Sequence, residues 1–302
     1  MNRKVKSIVS LTLALLLCFG TSLSVLAAEH DLIQEVSDII AFESEEFPDA
    51  YIITEVLEAT VNPLTGVIDL GRASATVFVE ETWAQVGSEI IVTESRLLSE
   101  EEVLAIGLDN FLNLEDQKFE QNTLNSDSTA TRGKLTIEIS GSYLPSGNGV
   151  KCNVEGVAEW ELGLFYNSET MPAIGTDFFG IVYSGGYTQS GSCTATSSSG
   201  LLDPPVTRAE ITPNAGTVWE FNETIGDIDY VSKAEIDMTL TKNTLTGGGN
   251  TAEVVLKYIH TYQTHSGSIN ISATPTSVGV GFSLNNVNKQ WSIAAMLTNI
   301  PY

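Results

Sequence analysis

The sequence predicts a mainly β fold: an antiparallel β-sandwich or barrel-like C-terminal domain, preceded by a small acidic α+β region. Three observations lead there. Apolar residues alternate with polar ones in short runs after Arg132, glycine- and asparagine-rich turns separate those runs, and charge divides unevenly along the chain. Residues 29–131 hold 23 acidic and 3 basic residues, whereas residues 132–302 hold 15 and 8.

Residues 1–28 read as a secretory signal peptide. Arg3, Lys4 and Lys6 precede an apolar run from Ile8 to Phe19, and Val25-Leu26-Ala27-Ala28 supplies small residues for cleavage after Ala27 or Ala28. The run is short for a spanning helix of about 20 residues. Leu17 before Cys18 does not fit a bacterial lipidation site, and the C-terminal Thr298–Tyr302 lacks the apolar tail of a lipid anchor. The expectation is a secreted, extracellular protein.

Residues 29–120 form the acidic α+β region. Leu32, Ile33, Val36, Ile39 and Ile40 recur at helical spacing before Pro48. Tyr51–Val61 favours a strand, Asn62–Gly66 a turn, and Val67–Leu70, Ala75–Glu80 and Glu89–Glu94 further strands. Ser99 with Glu102 makes a capping box, opening a helix with Val103, Leu104, Ile106, Leu108 and Leu112 on its apolar face. The glutamates at 100–102 are thereby explained without a metal. Residues 121–131 are polar, nearly uncharged and without apolar period, and are taken as a linker.

Residues 132–302 read as the antiparallel β domain, able to fold without the preceding region. Leu135–Ile139, Val157–Leu164 and Ala234–Leu240 alternate, the last with Ala234, Ile236, Met238 and Leu240 on one face. The glycine-rich stretch 244–250 joins it to Ala252–Tyr262 as a long hairpin, and Ser268–Ala273, Val278–Leu284 and Gln290–Leu297 complete the series.

The net charge of −24 excludes nucleic acid and opposes anionic lipid surfaces as partners. Val278–Leu284 alternates as a membrane strand would, but its seven residues fall short of the roughly 9–11 that span a bilayer. Cys18 leaves with the signal, so Cys152 and Cys193 are an even pair in an oxidising route and are expected to form a disulfide. Closing a loop of that length would stabilise by about 4 kcal/mol.

Chemistry-bearing constellations are sparse. Glu235-Ile-Asp237 and Glu159-Trp-Glu161 put paired carboxylates on strand faces, but Leu240 stands where a proton-donating third acid of a glycosidase would be needed. His30, His260 and His265 suggest no triad, and His260 and His265 fall on opposite strand faces. Asp227-Ile-Asp229 lacks the rest of a calcium loop. No catalytic residue, metal or cofactor is therefore expected. Tyr183 and Tyr187 flank Ser-Gly-Gly close before Cys193, and a braced loop would display them for contact, with Trp160 as a further binding candidate. The resulting expectation is a non-catalytic binding or surface-associated protein whose partner is an extracellular glycan or protein. A secreted glycan hydrolase and a membrane-active β protein stand as the alternatives.

Overall fold

The computed structural model describes residues 47–86, 89–108, 111, 129–146, 149–162, 175–225, 229–242, 251–262, 268–272, 281–285, 287 and 289–301. The signal segment, the expected helix over 32–40 and most of the expected linker lie outside them. Residues 36–302 form one compact unit. Its strands are β1 (Ile52–Leu57), β2 (Thr60–Val61), β3 (Ile68–Val86), β4 (Glu89–Leu97), β5 (Thr129–Ser146), β6 (Gly149–Leu162), β7 (Thr176–Tyr183) and β8 (Thr188–Ser197). There follow β9 (Thr207–Thr212), β10 (Gly216–Asn222), β11 (Thr224–Ile225), β12 (Asp229–Lys242), β13 (Thr251–Thr261), β14 (Ile269–Ser272), β15 (Gly281–Leu284) and β16 (Gln290–Pro301). Among the described residues one helix, α1 (Glu100–Ile106), interrupts the series.

All strand pairs are antiparallel. A nine-stranded sheet runs β1-β3-β5-β6-β12-β11, with β2 and β4 also on β3 and β8 on β12; a five-stranded sheet runs β16-β13-β7-β10-β9. Neither closes on itself, so the fold is a β-sandwich rather than a barrel. The inner faces supply one core. Val77, Leu135, Ile137, Ile139, Val154 and Ile236 meet Phe179, Ile181, Val254, Leu256 and Ile293, all at most 4% exposed. Alternation puts the intervening residues of β5, β6 and β12 on the outer, wet face. The β14–β15 hairpin covers the other side of the five-stranded sheet, where Phe282 and Leu284 pack with Phe178, Val182, Val218 and Ile259. The apolar face of Val278–Leu284 thus serves this second core over its described part.

Four sequence expectations need correction. The runs Val67–Leu70 and Ala75–Glu80 are one continuous strand, β3, bent at Gly71. There the φ is +82°, and an added Cβ would lie 2.2 Å from the Leu57 carbonyl oxygen. The β3–β5 register shifts between Asp69 and Arg72, and Asp69 Oδ1 accepts from the Gly71 N–H at 2.9 Å. Next, β12 and β13 are not a hairpin, because they belong to opposite sheets. Both alternate in the same phase, and only their partners reveal which sheet each joins.

The third correction is to the division into a region 29–120 and a self-sufficient domain 132–302. From Ile68↔Tyr143 to Trp83↔Thr129, β3 lies against β5 along the sheet, and β1 and β4 extend it from the far edge of β3. Residues 129–131 of the expected linker belong to β5, paired with Trp83, Thr82 and Glu81 of β3. The helix expectation holds in its cap. The Ser99 side chain accepts from the Glu102 N–H, and Glu102 Oε2 accepts from the Ser99 N–H at 2.8 Å. It fails on its face, since Val103 is buried while Leu104 and Leu108 are exposed.

A fragment spanning residues 132–302 is expected to be insoluble or molten when expressed alone. Removing β3 strips the edge of β5 and uncovers Leu135, Ile137 and Ile139. Co-expression with residues 29–131 restores a cooperative melt; a fragment that melts cooperatively by itself contradicts the single-unit arrangement.

Candidate functional site

The expected display loop turns inward. Gly185 and Gly186 adopt φ values of +83° and +66°, reversing the chain as it passes from β7 in one sheet to β8 in the other. The flanking Tyr183 and Tyr187 are both 0% exposed, and the Tyr183 hydroxyl donates to the Tyr187 carbonyl at 3.2 Å. Burial raises the Tyr183 hydroxyl above its ordinary pKa. Trp160 points into the same core from β6. None of the three is a contact surface.

The expected disulfide is absent, and Cys152 and Cys193 are free thiols. They stand on β6 and β8, on opposite sides of β12, opposite Leu240 and Ile236 respectively. Two strand spacings separate them laterally, roughly 9–10 Å, well beyond the roughly 7 Å Cα separation that a disulfide can bridge. Burial pushes both thiols up to about 12.

Asp229 is held by the turn that precedes it in the chain. Its carboxylate accepts from the Ser198 hydroxyl, the Ser199 hydroxyl at 2.5 Å and the Ser199 N–H at 3.1 Å, fastening the turn after β8. Burial would raise its pKa, but these donors outweigh burial and lower it from 3.8 to about 2. Asp227 lies outside the described residues.

Among the described residues two arrangements stand out that could do chemistry. The first is a groove of about 720 Å³ on the outer face of the nine-stranded sheet. The β2–β3 turn overhangs it with Thr60, Asn62 and Thr65, while Ser140 and Ser142 of β5 and Asn153 and Glu155 of β6 line its floor. Asn62 builds the overhang, its Oδ1 accepting from the Leu64 N–H at 3.0 Å and its carbonyl from the Gly66 N–H at 2.9 Å. Register places Asp69, Ser142, Asn153 and Thr239 in one row across four strands. Thr239 Oγ1 donates to Asn153 Oδ1 at 3.2 Å. In the next row Glu155 faces Asp237 across β6 and β12. Of the carboxylates singled out from the sequence, Glu161 pairs with Lys134 at 2.6 Å and Glu235 with Lys233 at 2.7 Å.

The second arrangement was missed by sequence reasoning. At one end of the inter-sheet core, Glu81, Asp177, Glu223 and His260 converge, none more than 3% exposed. His260 Nδ1 lies 3.1 Å from Asp177 Oδ1, and Nε2 lies 2.9 Å from Glu81 Oε1. Glu223 Oε2 is 3.7 Å from Nδ1. Asp177 also accepts from the Tyr258 hydroxyl and the Thr261 N–H, and Tyr258 accepts from the Trp160 indole at 3.1 Å. Trp291 packs against the imidazole at 4.9 Å between ring centres. Burial alone would lower the His260 pKa; Asp177, Glu81 and Glu223 overcome it and hold the value well above 6.5. The available sequence signal was phase, because His260 continues the inward series Val254, Leu256, Tyr258, and Asp177 precedes Phe179 and Ile181.

Two outcomes follow from these placements. Without reductant, buried Cys152 is expected not to react with a maleimide in the folded protein while half-buried Cys193 reacts slowly, and both react in denaturant; two unreactive cysteines after unfolding would restore the disulfide. Asp229 stabilises the fold only while ionised and its folded pKa is depressed, so its contribution is present above about pH 4 and lost as pH falls towards 2. Urea midpoints of wild type and Asp229→Asn should accordingly differ at pH 6 and converge near pH 2.

No protein-family model matches the chain, and no curated protein matches its sequence. Among solved structures it is similar to the collagen adhesin from S. aureus at 8% identity, over 80% of this chain and 95% of that one, with a TM-score of 0.24, a likeness too loose to bear on function.

Proposed function

We propose that the protein is a secreted, non-catalytic binding protein that holds an extracellular glycan or protein in the groove between the β2–β3 turn and the floor of β5 and β6. The observation carrying this reading is the lining itself. Thr60, Asn62, Thr65, Ser140, Ser142 and Asn153 offer hydroxyl and amide groups on a floor whose strands repeat at about 4.8 Å. Such groups can both donate and accept, matching sugar hydroxyls or the backbone of an extended peptide. Pro63, Val61 and Val67 add apolar contact at the overhang. A rigid sheet supports the floor, so ligand binding costs little ordering of the protein. The basic and apolar N-terminal segment supports export, and the acidic composition suits an extracellular surface.

A glycan hydrolase is the second reading, favoured by Glu155 facing Asp237 beside the groove. Cross-strand neighbours have Cβ atoms about 4.5–5.5 Å apart, a spacing within reach of the two-carboxylate geometry of retaining enzymes.

The exported protein, its N-terminus read by mass spectrometry, is to be screened against glycan and extracellular-matrix arrays. Ser142→Ala combined with Asn153→Ala should weaken the ligand found by about tenfold or more, equivalent to about 1.4 kcal/mol, without lowering the melting temperature. Binding unchanged by that double variant removes the groove from the function. Turnover of an array glycan that disappears in Glu155→Gln or Asp237→Asn makes the protein a hydrolase.

A further inference from the structure

We propose that Asp177, Glu223 and His260 form a structural binding site for one first-row divalent metal ion of the zinc or manganese type, buried between the two sheets. The three residues come from neighbouring strands of one sheet: His260 near the end of β13, Asp177 near the start of β7, and Glu223 directly after β10. Their candidate ligand atoms all lie within 4.8 Å of one another. From His260 Nδ1 the distances are 3.4 Å to Asp177 Oδ2 and 3.7 Å to Glu223 Oε2. Atoms bound to one ion at about 2.0–2.2 Å are themselves separated by about 3–4 Å, and both distances from Nδ1 fall in that range.

The surroundings fit the same ligand independently of that spacing. Glu81, from the opposite sheet, occupies the other imidazole nitrogen at 2.9 Å. An ion would displace the Nδ1 proton, and the carboxylate of Glu81 would then keep Nε2–H as its donor and leave the Nδ1 lone pair to the metal, the usual support of a metal-bound histidine. Tyr258, itself held by Trp160, orients Asp177. Three carboxylates and one imidazole, each at 3% exposure or less, supply oxygen and nitrogen donors of the kind such an ion takes. An imidazole with two carboxylates suits zinc, manganese or iron(II), whereas calcium and magnesium favour all-oxygen shells. Deep burial makes the site a clamp across three strands, without an open position for substrate.

The test uses the full exported chain, unfolded with chelator and refolded with zinc or manganese(II) alone. About one equivalent of one metal should remain after gel filtration, raising the melting temperature over the metal-free protein. Glu81→Gln should weaken that metal by about 10- to 100-fold, and Glu223→Gln and His260→Gln should abolish stoichiometric retention. Should those variants fail to fold, the wild-type protein decides: nitrogen NMR of the His260 ring in the presence of excess metal should show Nε2 protonated and Nδ1 metal-bound. Both nitrogens protonated, or less than a tenth of an equivalent of either metal with an unchanged melt, overturns the site. Ser142→Ala with Asn153→Ala should retain the metal, which separates this proposal from that of the groove.

Discussion

The long strands β5, β6 and β12 of one sheet and β13 and β16 of the other present apolar inner faces, and neither sheet can shield its own face alone. Their stacking is the constraint on which the remaining structure rests. It sets the long register of β3 against β5, since a slip of one residue would turn Val77, Leu135 and Ile137 into water. It also forces the crossings from β7 to β8 and from β12 to β13, because each strand must be delivered to the sheet that lacks it. The tight Gly185–Gly186 reversal is one product, and the inward fall of Tyr183 and Tyr187 is another.

Within that dry interior, the His260 cluster is the exception to apolar packing. Burial of several ionisable groups costs free energy unless each is paired or hydrogen-bonded. Here the pairing spans both sheets, from Glu81 on β3 to His260 on β13 and Asp177 on β7, with Tyr258 and Trp160 extending it to β6. Directional bonds of this kind specify how the sheets align, which apolar contact alone specifies poorly. The outer face obeys the opposite rule. Its hydroxyls, amides and carboxylates face outward, and the overhanging β2–β3 turn encloses part of that face as a groove.

The sequence by itself determined part of the secondary structure, leaving β7 to β11 unread. Period-two alternation identified β5, β6, β12 and β16, and the serine–glutamate pair identified the start of α1, because both signals depend on neighbours a few residues away. It also determined which side chains of β12 face inward, from Ala234 to Leu240. Tertiary structure decided everything that depends on strand partners. Alternation is identical for strands of either sheet, so it could not separate β12 from β13, nor reveal that β3 supports β5 across the polar segment between them. The cysteine pair was legible as a count but not as a distance; β12 lies between the two thiols. The acids and histidine of the buried cluster are spread from residue 81 to residue 260, and only the stacking of two sheets brings them within hydrogen-bond reach.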